Sequence, residues 1–566
     1  MYLRRKLEMN EVIVVDPSKC VGCNACVRNC PAPEANLTKQ LADGRFVTTV
    51  NPEKCITCGE CVRTCEHGAR DYIDDTREFM DILGQQTTIV LVTPAIKSVF
   101  PTKWKSILDF LRTKKCLIYD VSLGADICTW AHLRAIEQKK VGNIITQPCA
   151  AIVKYIEMYQ PKLLNNLVPI HSPISCAAVY IKKYLNRNED IAVLSPCIAK
   201  KQEFNETNLV RYNVTFKKLM EQLNKNNVTL PVHQAHEYDY NFDGGQGQVG
   251  SIYPRPGGLR DNVWLHNPDI NITTSEGVHK VYPELDMYAQ MPEYKHPEVF
   301  DVLSCEFGCN IGPASGTTQT VFDVMATMRD VEKDAKKRRK QKGLFRQGED
   351  KLFEKFDNEL ELQDFMRQYM RYEQSPEPSE EQLDAIFLAM GKHTPEDRKL
   401  NCHACGYKSC RAMATAIFRG LNTADNCVVH SKSVLLARHS KLSEQHERLS
   451  EIQERCLAIS ESLVANNKKI TDSIKSIGKS SNASEERANV VSELINNVVK
   501  YCESNKEMNE STVNQLIDIL KTTADAFGAL NLHINNTKSS SLLIEDSVSS
   551  ISNLIDELDD VLHNTK

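Results

Sequence analysis

Of the 21 cysteines in this 566-residue chain, eight stand in the first 75 positions, in two runs of one spacing: Cys20-x2-Cys23-x2-Cys26-x3-Cys30-Pro31 and Cys55-x2-Cys58-x2-Cys61-x3-Cys65. Such runs leave little apolar material between them, so the segment has to fold around whatever its thiols hold. Clustered cysteines in a long chain without an apolar leader read as metal or iron–sulfur ligands in a reducing cytoplasm, not as disulfides. The opening MYLRRKLEMNEVIVVD has basic residues but no apolar core behind them, so no secretory signal is expected.

Thiolates suit the soft iron of a 4Fe–4S cube, and the x2 spacing lets one loop wrap a cube face. Each run has the spacing of the bacterial two-cluster ferredoxins, in which the fourth cysteine of one run serves the cube of the other. Cys20, Cys23, Cys26 and Cys65 are thus expected on one cluster, and Cys55, Cys58, Cys61 and Cys30 on the other. Two complete copies leave little room for zinc on the same cysteines. Glu66 stands where proline often follows the second run.

The rest of the chain is ordinary soluble globular material, with 25% charged and 41% hydrophobic residues. A net charge of −5 gives no basic excess for nucleic acid, and no apolar run of about 18 residues suggests a membrane span. Short apolar runs at Ile89–Val92, Leu117–Val121, Ile144–Ile145, Ile191–Leu194 and Val299–Leu303 read as buried strands. Helical spacing lies between them, at Trp104–Arg112, Asp126–Gln138 and Ala177–Leu185. The expected class is multidomain, α+β and α/β. A two-cluster ferredoxin-like domain is expected at 1–78, an α/β domain at 79–330 and a charged helical segment with linker at 331–395. A small cysteine domain at 396–430 and a helical coiled coil or bundle at 431–566 complete it. The run KDAKKRRKQK at 333–342 reads as a solvated helix face, and 374–382 (QSPEPSEEQ) as a linker.

Four cysteines of the central domain each follow a candidate strand: Cys149 in Thr146-Gln147-Pro148-Cys149, Cys197 in Pro196-Cys197-Ile198-Ala199-Lys200-Lys201-Gln202-Glu203, and Cys305 and Cys309 in Cys305-Glu306-Phe307-Gly308-Cys309-Asn310-Ile311-Gly312. Positions just after buried strands are where α/β folds build their sites. In order and context these motifs resemble the three signature motifs of the FeFe-hydrogenases, over roughly residues 10–330. The resemblance implies an H-cluster whose 4Fe–4S cube is held by Cys149, Cys197, Cys305 and Cys309, with Cys309 bridging to a two-iron subsite carrying CO, CN⁻ and an azadithiolate. It also implies that Lys200 donates to a cyanide, and that Glu203 and Ser172 belong to a proton route.

The departures are informative. Fast members of that family carry a proton-donating cysteine at the position of Pro148, which has no ionisable group. Ser195, Leu303 and Pro313-Ala314 also depart from the common pattern. These changes resemble the sensory-type, slow branch. Cys116, Cys128 and Cys176 read as buried core cysteines, with Cys176 a candidate substitute relay thiol.

A third set, Cys402-x2-Cys405-x4-Cys410-x16-Cys427, resembles a small 4Fe–4S domain, with zinc as the rival. Beyond it, Leu442, Leu449, Ile452, Cys456, Ile459 and Leu463 fall on one helical stripe, Ile544 to Leu562 on another, and Gly478 marks a candidate turn. The expected whole is a cytoplasmic hydrogenase-like enzyme of low turnover, H₂ ⇌ 2 H⁺ + 2 e⁻, acting as a hydrogen or redox sensor. It would have a ferredoxin-like electron partner, homodimeric helices and a signalling partner. The alternative is a non-enzymatic iron–sulfur signalling protein lacking the two-iron subsite.

Overall fold

The computed structural model describes residues 11–138, 142–341 and 351–477, with scattered helical positions between 490 and 554. The chain divides into two compact units, 1–431 and 432–566.

The first unit begins with two antiparallel ribbons. Strand β1 (Ile13–Val15) pairs with β4 (Arg70–Tyr72), bringing the ends of the segment together, and β2 (Asn36–Gln40) pairs with β3 (Phe46–Val50). Each cysteine run lies on a loop that closes in a short helix, Ala25–Arg28 or Glu60–Arg63.

Seven further strands follow: β5 (Thr88–Val92), β6 (Cys116–Asp120), β7 (Ile144–Ile145), β8 (Ile191–Ser195), β9 (Tyr212–Thr215), β10 (Ile272–Glu276) and β11 (Val299–Leu303). One parallel sheet has the order β6–β5–β8–β9 and a second the order β10–β11–β7. β5 and β8 are buried along their whole length, as strands covered on both faces must be. The helix Val121–Glu137 is buried almost all round, and Asp120 starts it by accepting from the Ser122 N–H at 2.8 Å.

Sequence patterning located five of these strands but missed β9 and β10, whose sequences YNVT and ITTSE are polar. β9 is buried because carboxylates receive its backbone: Asn213 N donates to Asp75 Oδ2 at 2.9 Å and Thr215 N to Asp74 Oδ2 at 3.0 Å. The helix expected over Ala177–Leu185 begins earlier, at Pro173, and ends in a wider turn over Tyr180–Tyr184.

The α/β domain does not stop at 330. A helix runs through that boundary, Val321–Gln341, burying Val324, Met328, Val331 and Ala335. Residues 351–375 then form a strap whose Phe353, Phe356, Leu360 and Phe365 enter the core around Trp130 and Ile144. Asp357 accepts from the Trp130 indole at 2.8 Å, and the Tyr369 hydroxyl donates to Val168 O at 2.6 Å. The start of the expected linker is fastened: Lys54 Nζ donates to Ser375 Oγ at 3.0 Å. The basic run is solvated on one side only: Lys336 pairs with Glu332 at 2.7 Å, while Ala335 is buried and Arg338 pairs with Asp334 and donates to the buried Ser251 Oγ at 3.3 Å. Lys342 lies outside the described residues.

In the second unit the helix Val428–Ile477 continues, with Cys456, Ile459 and Leu463 buried and Leu442 and Leu449 exposed. Burial of Cys456 agrees with its reading as a small core residue. Gly478, Cys502 and most of the Ile544–Leu562 stripe lie outside the described residues. Among the described residues no helix is long and apolar enough to cross a membrane.

Candidate active site and cysteine clusters

Chain segments leaving the carboxyl ends of both parallel sheets converge on one cavity, of about 840 Å³ atom-free space. Thr93–Ala95 follow β5, Val121 follows β6, Pro148–Ala150 follow β7, Pro196 and Cys197 follow β8, and Ser304 and Cys305 follow β11. In the four-stranded sheet, β5 and β8 are the neighbours from which the connections run in opposite directions, so the cavity opens at the switch point where open α/β sheets bind ligands.

The cavity brings together Cys149, Cys197, Cys305 and Cys309, far apart in sequence, with Lys200 and Pro148. Burial pushes the Cys197 thiol up to about 11 and the Cys309 thiol up to about 12, and the neighbouring cysteines push the same way. Cys305 is raised well above its ordinary range for the same two reasons. Cys197, Cys305 and Cys309 so placed resist becoming thiolates unless something positive takes them, which is the demand a cationic iron–sulfur core meets. The donor set therefore fits a cube. The loop carrying Cys309 is fixed from outside: its N–H donates to Pro254 O at 2.7 Å, and Asn310 Nδ2 donates to the same oxygen at 3.1 Å. The remaining wall is apolar, with Val121, Ala125, Ile174 and Leu303.

Lys200 begins a buried polar chain leading away from the cavity. Its ammonium donates to Pro148 O at 3.2 Å and to Glu203 Oε2 at 2.5 Å. Glu203 Oε1 accepts from the hydroxyls of Ser172 and, at 2.7 Å, Ser175. Burial alone would raise the Glu203 carboxyl, but the charges of Lys200 and then Arg367, helped by these hydrogen bonds, hold it down at about 2. Arg367 lies on the strap and continues the network to Glu206 at 2.9 Å. Lys200, Glu203 and Ser172, expected together from sequence, are together. Arg367 and Ser175 were missed. Ser175 had a signal, being one helical turn after Ser172; Arg367 had none beyond Tyr369 and Tyr372 beside it.

The three core cysteines behave differently from a relay. Cys116, Cys128 and Cys176 are buried, none of them lining the cavity. Cys176 Sγ instead donates to His171 O at 3.2 Å, and Cys128 lies 3.6 Å from His132 Nδ1.

In the N-terminal segment burial pushes the Cys26 thiol up to about 11, and Cys61, Cys20 and Cys23 push the same way; the Cys30 thiol is raised by burial and then by Cys55 and Cys61. Cys23 is exposed; Cys65 and the other six are half-buried. Of the third set, Cys405, Cys410 and Cys427 are buried in one apolar cluster and Cys402 is exposed beside Cys405. Among the described residues no three His, Cys, Asp or Glu side chains gather at single-ion spacing.

Comparison with protein families gives three matches along the chain. Residues 86–281 match the iron-only hydrogenase large subunit, C-terminal domain. The chain therefore carries a segment of the iron-only hydrogenase type. Its N-terminal segment matches a 4Fe–4S dicluster domain over residues 12–66, and residues 399–429 match a putative Fe–S cluster domain. The chain is thus a hydrogenase-like domain with iron–sulfur domains before and after it. No curated protein sequence matches it. Among solved structures it is similar to a variant of the [FeFe]-hydrogenase HydA1 from Chlamydomonas reinhardtii, at 12% identity over 54% of this chain and 100% of that one, with a TM-score of 0.41. It is also similar to HydA(ΔEFG), the structure that revealed stepwise H-cluster assembly, at 13% identity over 53% and 99% of the two chains, with a TM-score of 0.37.

Proposed function

We propose that this protein interconverts H₂ with protons and electrons at an H-cluster, slowly, and serves as a hydrogen or redox sensor with a helical output. One observation carries the reading: Cys149, Cys197, Cys305, Cys309, Lys200 and Pro148 line a single cavity; the resemblance puts Pro148 at the position of the family's proton donor. Cys149, Cys197, Cys305 and Cys309 would hold the cube, and Cys309 also the two-iron subsite. That group would supply an open iron and a basic amine for heterolytic cleavage of hydrogen.

The chain's own residues supply the rest. Lys200 presents a charged donor to an anionic ligand. Val121, Ala125, Ile174 and Leu303 keep water away from the reacting atoms. Glu203 lies on the proposed proton route as an ionised partner of Lys200, and Ser172 and Ser175 hold it in place. The step between cavity and Glu203 is the weak one. Pro148 cannot exchange a proton, and apart from the cysteines the ionisable side chains on the described wall are Lys200 and Tyr253.

Low turnover suits a protein whose product is information. Electrons would leave through the iron–sulfur groups held by Cys20, Cys23, Cys26, Cys65, Cys30, Cys55, Cys58 and Cys61, and by Cys402, Cys405, Cys410 and Cys427. A ferredoxin-like partner could exchange electrons with them. The helix Val428–Ile477 follows Cys427 directly in the chain, and its exposed Leu442 and Leu449 suit pairing with a second copy, with a signalling partner beyond. Hydrogen uptake by the matured protein with an oxidised viologen dye tests the reading. A low rate above that of the cofactor-free protein supports it; no rate in fully loaded protein leaves an iron–sulfur signalling protein without the reaction.

A further inference from the structure

The N-terminal and C-terminal cysteine sets do not line the cavity; they meet their neighbours across two junctions between domains, and these are built alike. At the first, Gly59 follows Cys58 with φ +81 and lies so near the central domain that an added Cβ would be 2.6 Å from Ile198 Cδ1 and from Pro313 Cγ. Ile198 itself follows Cys197. At the second, Gly406 follows Cys405 with φ +91, and an added Cβ would be 2.7 Å from Val27 Cβ and 3.0 Å from Asn24 O. Val27 itself follows Cys26.

In both places a left-handed glycine directly after one cysteine lets the backbone close onto the residue directly after another. A buried tyrosine fills each junction. Tyr282 shares one apolar cluster with Cys58 and Cys149, and its hydroxyl donates to Ser304 Oγ at 2.8 Å. Tyr407 shares one apolar cluster with Cys405, Val27 and Cys26.

The second junction is also fastened polar group by polar group. Asn24 Nδ2 donates to Asn426 Oδ1 at 3.2 Å, Thr38 N donates to Leu421 O at 2.9 Å, and Arg419 pairs with Glu34 at 3.1 Å. Val27 shares one apolar cluster with Cys405, Cys410 and Cys427, with Cys26 packed against it. Chain order suggests a relay lying between the central domain and the C-terminal helix. The fold puts the third set at the far end of the N-terminal segment instead.

We propose that the 402–427 site is the terminal station of one serial electron relay, exchanging electrons with the site of Cys20, Cys23, Cys26 and Cys65 and not with the central cavity. The inference rests on the iron–sulfur reading of both sites. Each transfer moves one electron: the group on the Cys26 side is oxidised as the group on the Cys405 side is reduced, with no bond or proton exchanged. Hydrogen oxidation supplies the electrons in the proposed reaction, and dithionite supplies them in the test.

The test uses the full-length chain loaded with iron and sulfide, without the two-iron cofactor, reduced with dithionite and observed by electron paramagnetic resonance. The expected result is a signal from the Cys26-side group split by a neighbouring spin. The splitting is lost in Cys410→Ala, which sheds about four irons per chain, while the Cys55-side signal is unchanged. Gly406→Val keeps every ligand and should weaken the splitting with iron content intact, which separates contact from folding. Full iron loading with a Cys26-side signal that Cys410→Ala leaves untouched overturns the inference alone, as does a splitting shared with the central cube. An unsubstituted protein already short by about four irons overturns it together with the iron–sulfur reading of the 402–427 site.

Discussion

The ammonium of Lys200 donates to the backbone carbonyl of Pro148 at 3.2 Å, joining the residue proposed to serve the two-iron subsite to the residue proposed to stand in the proton donor's place. A second donor goes to Glu203 at 2.5 Å, leaving one of the three ammonium protons for a ligand in the cavity. In the proposed reading the arrangement positions a charge and breaks the proton path at Pro148.

Restoring a thiol at this position should therefore restore rate. Pro148→Cys is expected to raise hydrogen turnover of the matured protein, within the 10²–10⁴-fold range of general acid–base catalysis. Hydrogen evolution from reduced viologen measures it. No gain at equal cofactor loading would mean that the missing relay does not limit the rate.

Lys200 and Glu203 should matter to stability as a pair. Lys200→Met leaves a buried carboxylate facing Ser172 and Ser175 without its main counter-charge, at a cost of roughly 3–5 kcal/mol. Lys200→Met with Glu203→Gln should recover most of that loss. Denaturant melts of the single and double variants give the coupling; additive losses would contradict the pairing.

A pH dependence follows from Asp301 on β11, which burial pushes up to about 6 from 3.8 although Arg260 N and Thr146 donate to it. A carboxyl raised in the folded state contributes stability below its unfolded value and loses it as pH rises through about 6. At about 1.4 kcal/mol per unit, two units correspond to about 3 kcal/mol above that range. Asp301→Asn should match the parent near pH 4 and be more stable at pH 7 and above, approximately, as read from melting temperatures across pH. A difference independent of pH would contradict the assignment.

The strap should be part of the central domain. Phe365, fully buried against Trp130 and stacked on Tyr184, is expected to cost about 3–5 kcal/mol on replacement by alanine. A cost below about 1 kcal/mol in denaturant melts would mean that residues 351–375 are merely laid over the surface.

How far the sequence was legible follows from what each signal encodes. Cysteine spacing reports local loop geometry, so the N-terminal runs were readable; the four cavity cysteines, far apart in sequence, were readable only through the family resemblance of their motifs, and short apolar runs located the strands that deliver them. β9 and β10 were not readable, because their buried positions are polar: Asn213 and Thr215 are buried as hydrogen-bonded groups, and Ser275 is buried on β10. Phe353, Phe356 and Phe365 were diluted among charges, so core residues looked like a linker. The contact of Gly406 with Val27 could not be read, because neither residue's local pattern records what lies across a domain junction.

The account stands or falls on whether the cavity holds the complete H-cluster. Infrared spectroscopy of anaerobic protein, matured with the two-iron cofactor and then exposed to H₂, answers this. The account predicts sharp CO and CN⁻ bands that shift with hydrogen, with Lys200→Met moving the CN⁻ bands more than the CO bands. Protein with full iron loading and no such bands would contradict it.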